Sequence, residues 1–162
     1  MSKQTFLLVT GSEGQLGKSI RAIADDHPDC KFVFADRQQL DLSNKKTVDK
    51  FFKKYTFDII INCAAYTNVD KAESEPELAD QINHLAVQRL ANIAKLQSAS
   101  FIHISTDYVF DGKGHRPYVE SDAVGPQCAY GKSKLSGERA IQNTLKNNAI
   151  IIRTSWMYSE YG

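Results

Sequence analysis

The chain has 162 residues, and its 20 basic and 19 acidic residues leave a net charge of +1 at pH 7. This length suits one domain with one core, and the balanced charge gives no electrostatic basis for binding nucleic acid or an anionic membrane surface. The apolar runs are too short to cross a bilayer and the N-terminus lacks a signal-peptide pattern, so we expect a cytoplasmic protein.

Short apolar runs alternate with segments of helical pattern along the whole chain. Strands are predicted at 6–10, 31–35, 58–61, 100–105 and 149–153. Helices are predicted to begin near Gln15, Asn44, Pro76 and Gln127, with Ser43 capping the second. Apolar strands that alternate with helices are typical of a parallel sheet covered on both faces. The predicted fold class is therefore α/β, a Rossmann-type doubly wound parallel sheet.

The first strand leads directly into a glycine-rich turn with Gly11, Gly14 and Gly17. Such glycines let the backbone turn sharply, approach a pyrophosphate and pack a helix against a strand, while the helix N-terminus supplies N–H donors. The spacing is G-x-x-G-x-x-G rather than the commoner G-x-G-x-x-G. Its place between a strand and a helix favours a nucleotide site over an ordinary glycine-rich connection.

The second strand ends in Asp36-Arg37, about 20 residues beyond the glycine turn, where dinucleotide domains place the residue that meets the adenosine ribose. Asp36 is suited to the ribose hydroxyls of NADH, whereas Arg37 is suited to the 2′-phosphate of NADPH or to the adenine ring. The two neighbours argue for opposite cofactors, so the sequence predicts NADPH or NADH without deciding between them.

The third and fourth strands also end in segments suited to a ligand. The third runs into 62–67, whose small residues Ala64 and Ala65 let a cofactor lie against the backbone. The fourth ends in Ser105-Thr106-Asp107-Tyr108, where a hydroxyl can bond a substrate carbonyl oxygen. Because open α/β sheets bind ligands at the carboxyl ends of their strands, both segments are predicted to border one site.

Tyr130 and Lys134 stand four residues apart, so on a helix both side chains leave from one face. A nearby ammonium favours an ionised phenol, so we expect Lys134 to lower the pKa of Tyr130 toward working pH and make it a proton donor or acceptor. That pairing is typical of carbonyl and alcohol redox chemistry. The longest loop, 112–126, delivers the chain to this helix, and we expect it to be mobile.

The three cysteines and four histidines are scattered along the sequence. No C-x-x-C pair occurs, and no second ligand lies at metal spacing from a histidine. We therefore expect neither a disulfide framework nor a metal site.

These motifs together resemble the extended short-chain dehydrogenase/reductase family and, within it, the reductases of dTDP-4-dehydro sugars. The resemblance covers nearly the whole chain from Phe6 onward. The segments that carry it are 11–17, 64–76, 105–112, 130–138 and 153–156.

The resemblance implies NAD(P)H-dependent reduction of the 4-keto group of dTDP-4-dehydro-L-rhamnose to dTDP-L-rhamnose. It implies that Tyr130 protonates the nascent alkoxide, that Lys134 lowers the pKa of Tyr130 and bonds the nicotinamide ribose, and that Thr106 holds the sugar oxygen. Asp107 would tune the proton transfer. The remaining implied contacts are Gly14, Gln15 and Leu16 at the pyrophosphate, Asp36, Asp41 and Leu42 around the adenosine, Ala65, Tyr66 and Thr67 along the cofactor, and Trp156 on the substrate.

Two alternatives remain. The first is a 4,6-dehydratase or 4-epimerase of nucleotide sugars on the same fold. Dehydratases of the family generally place an acidic pair after the strand-end Thr, and Tyr108 following Asp107 argues against that chemistry. The second is a non-catalytic regulatory subunit with a reductase-like fold. The retained Thr106, Tyr130 and Lys134 argue against it.

The sequence departs from the family in length, since family members continue into a substrate lobe after the fifth strand. We expect residues 1–162 to be the NAD(P)-binding domain without that lobe, able to bind nucleotide but slow or inactive with the nucleotide sugar. Missing strands would expose an edge or face of the sheet and favour homo-oligomers.

Overall fold

The computed structural model of the protein describes residues 4–162. One parallel sheet holds the five strands β1 (Thr5–Thr10), β2 (Cys30–Ala35), β3 (Ile59–Asn62), β4 (Ser100–Thr106) and β5 (Ala149–Thr154), in the order β2-β1-β3-β4-β5. The predicted doubly wound α/β fold is confirmed, and each predicted strand agrees with the structure to within one residue at either end.

Six α-helices connect the strands: α1 (Gln15–Ala22), α2 (Lys45–Lys54), α3 (Val69–Ser74), α4 (Pro76–Asp80), α5 (Ala86–Gln97) and α6 (Ala129–Leu145). A π-helical turn, Gln81–Leu85, joins α4 to α5, and short 3-10 turns cover Ala24–Asp26 and Asp107–Val109. The starts predicted at Gln15 and Pro76 are confirmed, and α6 begins two residues after the predicted Gln127. The sequence analysis did not predict α3.

The predicted cap of the second helix is wrong by one residue. Asn44 caps α2, because its side chain accepts hydrogen bonds from the backbone N–H of Lys46 at 3.0 Å and of Thr47 at 3.4 Å. The Ser43 hydroxyl instead donates to Asp41 Oδ1 at 2.6 Å. Asn and Ser are nearly equal as caps, so the pattern alone did not distinguish the neighbours.

The strand order places the ligand crevice. The chain moves from β1 to β2 on one side of the sheet, and from β3 through β4 to β5 on the other. In such sheets the loops that leave neighbouring strands in opposite directions open a crevice at the carboxyl ends. This crevice lies between β1 and β3, directly beside the glycine turn.

The core lies at the centre of the sheet and beneath α5 and α6. Leu8, Ile60 and Phe101 come from three adjacent strands and are at most 1% exposed, and Leu90 and Ile141 cover them from the helices. Burying side chains of this size contributes about 1.5–3 kcal/mol each. The rigid centre of the sheet therefore fixes the strand ends that border the crevice.

Strand β5 exposes the face of the sheet that lies opposite the core. Ile150 and Ile152 of β5 are 59% and 44% exposed. A partly buried ion pair fixes this strand to α6, since Arg153 Nη2 and Nε lie 2.7 and 3.0 Å from the two carboxylate oxygens of Glu138. No helix within residues 4–162 combines the length and apolar character needed to cross a membrane.

The loop at 112–126 has hydrogen bonds of its own. Tyr118 donates its phenolic proton to Asp111 at 2.8 Å, Arg116 pairs with Asp122 at 2.6 Å, and the Gly125 N–H donates to the Val109 carbonyl at 2.9 Å. The mobility expected of this loop stays a prediction.

Candidate active site

Two connected hollows follow the carboxyl ends of the strands. The long groove, of about 710 Å³, runs from the ends of β1 and β2 to the end of β3. The small pocket, of about 360 Å³, lies between the end of β4 and α6. The two hollows share Cys63, Ala65, Thr67, Ile104 and Met157. A ligand that fills the long groove can therefore reach into the small pocket.

The glycine turn forms one wall of the long groove. Gly11 has φ of +65°, and a Cβ there would lie 2.8 Å from the Ala64 backbone. A Cβ on Gly17 would lie 2.5 Å from the Gly11 carbonyl oxygen, so α1 can pack this closely only on a glycine. A Cβ on Gly14 would approach only the Gly11 carbonyl, at 3.3 Å. Gly14 is thus less crowded than Gly11 and Gly17, although the Gly11 carbonyl lies close to it.

Most residues predicted to bind the cofactor line this groove. They are Gly11, Gly14, Gln15, Leu16, Gly17, Asp36, Arg37, Asp41, Leu42, Ala64, Ala65 and Thr67. Tyr66 does not line it. The Tyr66 phenol donates to Glu75 at 2.8 Å, and its ring packs with Ala72 and Tyr130. The groove also has lining residues that the sequence analysis missed, among them Ser43, Ile82 and Met157.

Local hydrogen bonds hold the carboxylates at the β2 end of the groove. Asp36 Oδ1 accepts from the Gln39 N–H at 2.8 Å, and Asp41 Oδ1 accepts from the Ser43 N–H at 3.0 Å. Arg37 is exposed and lines the same end. Both a carboxylate and a guanidinium therefore stand where the sequence predicts contacts with the adenosine.

The small pocket brings together the three predicted catalytic residues, Thr106, Tyr130 and Lys134. The Thr106 hydroxyl lies 3.1 Å from Asp107 Oδ1 and 3.2 Å from the Tyr108 N–H. Tyr130 is 8% exposed and Lys134 is 1% exposed. The four-residue spacing thus places the Tyr130 phenol and the Lys134 amine at the wall of one pocket, as the helical pattern predicts.

The pKa of Tyr130 differs from the sequence prediction. Burial raises it, the Thr106 hydroxyl hydrogen bond lowers it, and the charge of Asp107 raises it further. The predicted lowering by Lys134 is not seen. The amine points elsewhere, because Lys134 Nζ donates to the Ile104 carbonyl at 2.6 Å and lies 3.5 Å from His103 Nε2.

Burial also controls Lys134 itself. It lowers the pKa of the amine to about 8, while the nearby Glu138 carboxylate acts in the opposite direction. An amine with this pKa titrates close to neutral pH.

Distant contacts hold the N-terminus of α6. Glu73 Oε1 accepts from the Ala129 N–H at 2.6 Å, and Cys128 Sγ accepts from the Gly131 N–H at 3.3 Å. Ser133 donates to the Tyr130 carbonyl at 2.7 Å and accepts from Asn83 Nδ2 at 3.0 Å. The Asn83 side chain also bonds both backbone groups of Tyr66. Asn83 therefore ties the segment that follows β3 to α6.

The side of the pocket that Trp156 lines is more open. Trp156 lines it but is 91% exposed, on a backbone with φ of +50°. Ser105, which the sequence analysis did not assign a role, is buried at the pocket wall, and its hydroxyl lacks a hydrogen-bond partner among residues 4–162. In the same residues no cluster of three or more His, Cys, Asp or Glu is arranged to hold a metal ion.

Comparisons with known proteins show the family of this chain. A family model described as the RmlD substrate binding domain matches residues 5–162. The chain is 44% identical over 156 residues to a dTDP-4-dehydrorhamnose reductase of Aggregatibacter actinomycetemcomitans. This match covers 96% of the present chain and 53% of the relative. It thus spans about half the length of the curated relatives it matches.

Two solved structures are similar over almost the whole chain. The dTDP-4-dehydrorhamnose reductase of Bacillus anthracis, in complex with NADP, superposes with a TM-score of 0.93 at 36% identity and covers 100% of this chain and 57% of that one. The ortholog from Clostridium acetobutylicum gives 0.90 at 41% identity and covers 96% and 55%. By motif, sequence and fold, the chain belongs to the family of the RmlD substrate binding domain.

Proposed function

We propose that this chain is the dinucleotide-binding part of a reductase that uses NADPH or NADH to convert dTDP-4-dehydro-L-rhamnose to dTDP-L-rhamnose. The observation that carries the proposal is the small pocket, in which Thr106, Tyr130 and Lys134 meet at the end of a groove that begins at a glycine turn. Relatives named as dTDP-4-dehydrorhamnose reductases support the substrate.

The described residues fit a dinucleotide. Gly14 lines the groove at the start of α1, where the first N–H groups of the helix can meet a pyrophosphate. Asp36 and Arg37 stand at the adenosine end, and the unpartnered Ser105 hydroxyl stands at the other. A buried hydroxyl without a partner is unfavourable, so a polar ligand in the small pocket would stabilise it.

The bound nicotinamide supplies a hydride, which leaves the chain to hold the ketone and deliver a proton. Thr106 donates a hydrogen bond to the ketone oxygen. The raised pKa of Tyr130 keeps its phenol protonated at neutral pH, and it gives that proton to the much more basic alkoxide that forms. Lys134 holds the nicotinamide ribose. Hydride and proton together complete the addition across the carbonyl bond.

The contacts of Tyr108 favour reduction over dehydration. Its ring packs edge-on against Tyr130, with 5.7 Å between ring centroids, and it follows Asp107 directly. An exposed phenol in this place gives no second carboxylic acid to expel a hydroxyl as water.

We further propose that the substrate lobe of the family packs on the exposed face of β5, outside the present chain. The exposed Ile150 and Ile152 support this, as does the length of the relatives. On this proposal the chain binds cofactor but reduces dTDP-4-dehydro-L-rhamnose slowly, which is measured by the loss of absorbance of NADPH. Rapid turnover would show that the chain needs no second lobe. Self-association through the same face stays a prediction.

Two alanine substitutions in the glycine turn test the cofactor site. Gly14→Ala adds a methyl group that lines the groove and lies 3.3 Å from the Gly11 carbonyl oxygen, so we expect NADPH affinity to fall about tenfold with a smaller loss of stability than in Gly17→Ala. Gly17→Ala forces a methyl group against backbone, so we expect a loss of about 2 kcal/mol in unfolding free energy. Fluorescence of Trp156, the one tryptophan of the chain, follows titration with NADPH and NADH.

The control is Gly112→Ala, at a positive φ of +70° with open space around it. This substitution strains the backbone at position 112 but should change neither the lining of the long groove nor the packing of the core. Equal NADPH affinity in native chain and Gly14→Ala would mean that the cofactor does not lie along this turn. Absence of binding by the native chain would remove the proposed function.

A further inference from the structure

A row of buried polar side chains crosses the sheet from the glycine turn to the catalytic helix. Thr10 Oγ1 lies 2.6 Å from Asn62 Oδ1, Asn62 Nδ2 lies 3.0 Å from His103 Nδ1, and His103 Nε2 lies 3.5 Å from Lys134 Nζ. All four side chains are at most 1% exposed. Because these groups are shut off from water, they satisfy one another, and the position of one proton constrains the next.

A charged Lys134 demands one order of hydrogen bonds. An ammonium has only donors, so it needs an unprotonated Nε2 on His103. The imidazole proton then sits on Nδ1 and needs an acceptor, which is the amide oxygen of Asn62. Since the amide has one oxygen, its NH2 group must turn toward Thr10.

The structure has the opposite order. The Asn62 oxygen accepts from the Thr10 hydroxyl, and the Asn62 NH2 group donates to His103 Nδ1. The imidazole proton is then on Nε2 and faces Lys134, which is favourable only if the amine is uncharged. Thr10 supports this order, because its oxygen already accepts from the Ala64 N–H at 3.4 Å and its proton uses the Asn62 oxygen.

We propose that Asn62 and His103 are positioning residues for Lys134, because the order of hydrogen bonds in this row decides whether the amine carries a proton. The importance of this for catalysis rests on the proposed function, in which Lys134 holds the nicotinamide ribose beside Tyr130. The Thr10 hydroxyl favours the order of hydrogen bonds that suits an uncharged Lys134 amine. A proton on that amine favours the opposite order. The state of Lys134 is thereby linked to the strand end that begins the glycine turn.

The charged surroundings are consistent with this linkage. Burial keeps the pKa of His103 well below its ordinary value, so the ring stays neutral while the amine titrates. The groups that face Lys134 or its pocket from each packed element are Glu138 and Tyr130 of α6, His103 of β4, Arg153 of β5 through its pair with Glu138, Asp107 of the 3-10 turn, and the neutral thiol of Cys63 after β3. The Glu138 carboxylate favours the ammonium form of Lys134 and so acts against the order of hydrogen bonds that the structure has.

Nitrogen-15 NMR of the histidine rings tests the proposal directly, because the two ring nitrogens report which of them is protonated. The spectra are taken on the ligand-free chain between about pH 6 and about pH 10. We expect the His103 proton to move from Nδ1 to Nε2 with a midpoint near the titration of Lys134. His103→Gln identifies the signals of the His103 ring, because it removes them from the spectrum.

Three variants separate this linkage from a merely structural role. Lys134→Met should leave the proton on Nε2 at every pH. Asn62→Asp, whose carboxylate only accepts, should keep it on Nδ1. Thr10→Val removes the hydroxyl that fixes the amide, so the midpoint should rise by about one pH unit, and this near-isosteric change serves if Asn62→Asp does not fold.

A single His103 tautomer across the whole range in the native chain would overturn the proposal, as would a pH-dependent change that persists in Lys134→Met. The readout needs neither cofactor nor turnover. A failure to bind NADPH would therefore remove the proposed function while leaving the NMR result to decide the linkage by itself.

Discussion

Replacing Tyr130 with Phe is expected to lower the rate of ketone reduction about 100- to 10,000-fold, the range that a positioned general acid contributes. Affinity for NADPH should stay within about twofold, because the ring and its packing against Ala72 and Ala79 are kept. The rate is measured by NADPH absorbance with dTDP-4-dehydro-L-rhamnose. If the chain alone turns over too slowly, it is joined to the second half of the Aggregatibacter relative.

Tyr108→Phe is the matched control. Tyr108 lines the same pocket and touches the Tyr130 ring, but it is 45% exposed and has no assigned proton to deliver. Removal of the Tyr108 hydroxyl should change the rate of ketone reduction by less than about threefold. An unchanged rate in Tyr130→Phe, or equal losses in the two variants, would remove Tyr130 from its role as proton donor.

The second large effect concerns the stability cost of Lys134. Its pKa falls from 10.5 to about 8 in the folded chain, so between these values the unfolded state binds more protons than the native state. Stability therefore rises with pH through this window, and the shift corresponds to about 3 kcal/mol of unfolding free energy. Below the folded pKa the full cost of the buried charge is present.

Lys134→Met isolates this contribution. The unfolding free energy of the native chain minus that of the variant should rise by about 3 kcal/mol between about pH 7 and about pH 10.5, measured by urea denaturation. Cys63 and Tyr130 have raised pKa values and act in the opposite direction, but they are present in both proteins and cancel. The exposed Lys132→Met is the control. A difference that does not change with pH would contradict burial of a titrating amine.

The sequence predicted the parts of the fold that depend on local pattern. Five apolar runs became five strands because strands buried on both faces have few polar positions. The glycine turn was recognised because a positive φ at Gly11 and a close approach at Gly17 leave no other residue type. The shared pocket of Tyr130 and Lys134 followed from helical geometry alone.

Features that depend on distant contacts were missed. Asn83 bonds residues 17 and 50 positions away, and no local pattern announces such a residue. The direction of the Tyr66 ring is set by Glu75, and the pKa of Tyr130 by its burial, neither of which a motif specifies. The buried row through His103 likewise exists only once three strands and a helix come together.

The most direct test of the central claim is a crystal structure of this chain with NADPH. We expect the pyrophosphate against the backbone of Gly14, Gln15 and Leu16, the adenosine beside Asp36 and Arg37, and the nicotinamide in the small pocket facing Tyr130 and Thr106. A cofactor bound outside the groove, or a nicotinamide turned away from Tyr130, would contradict it.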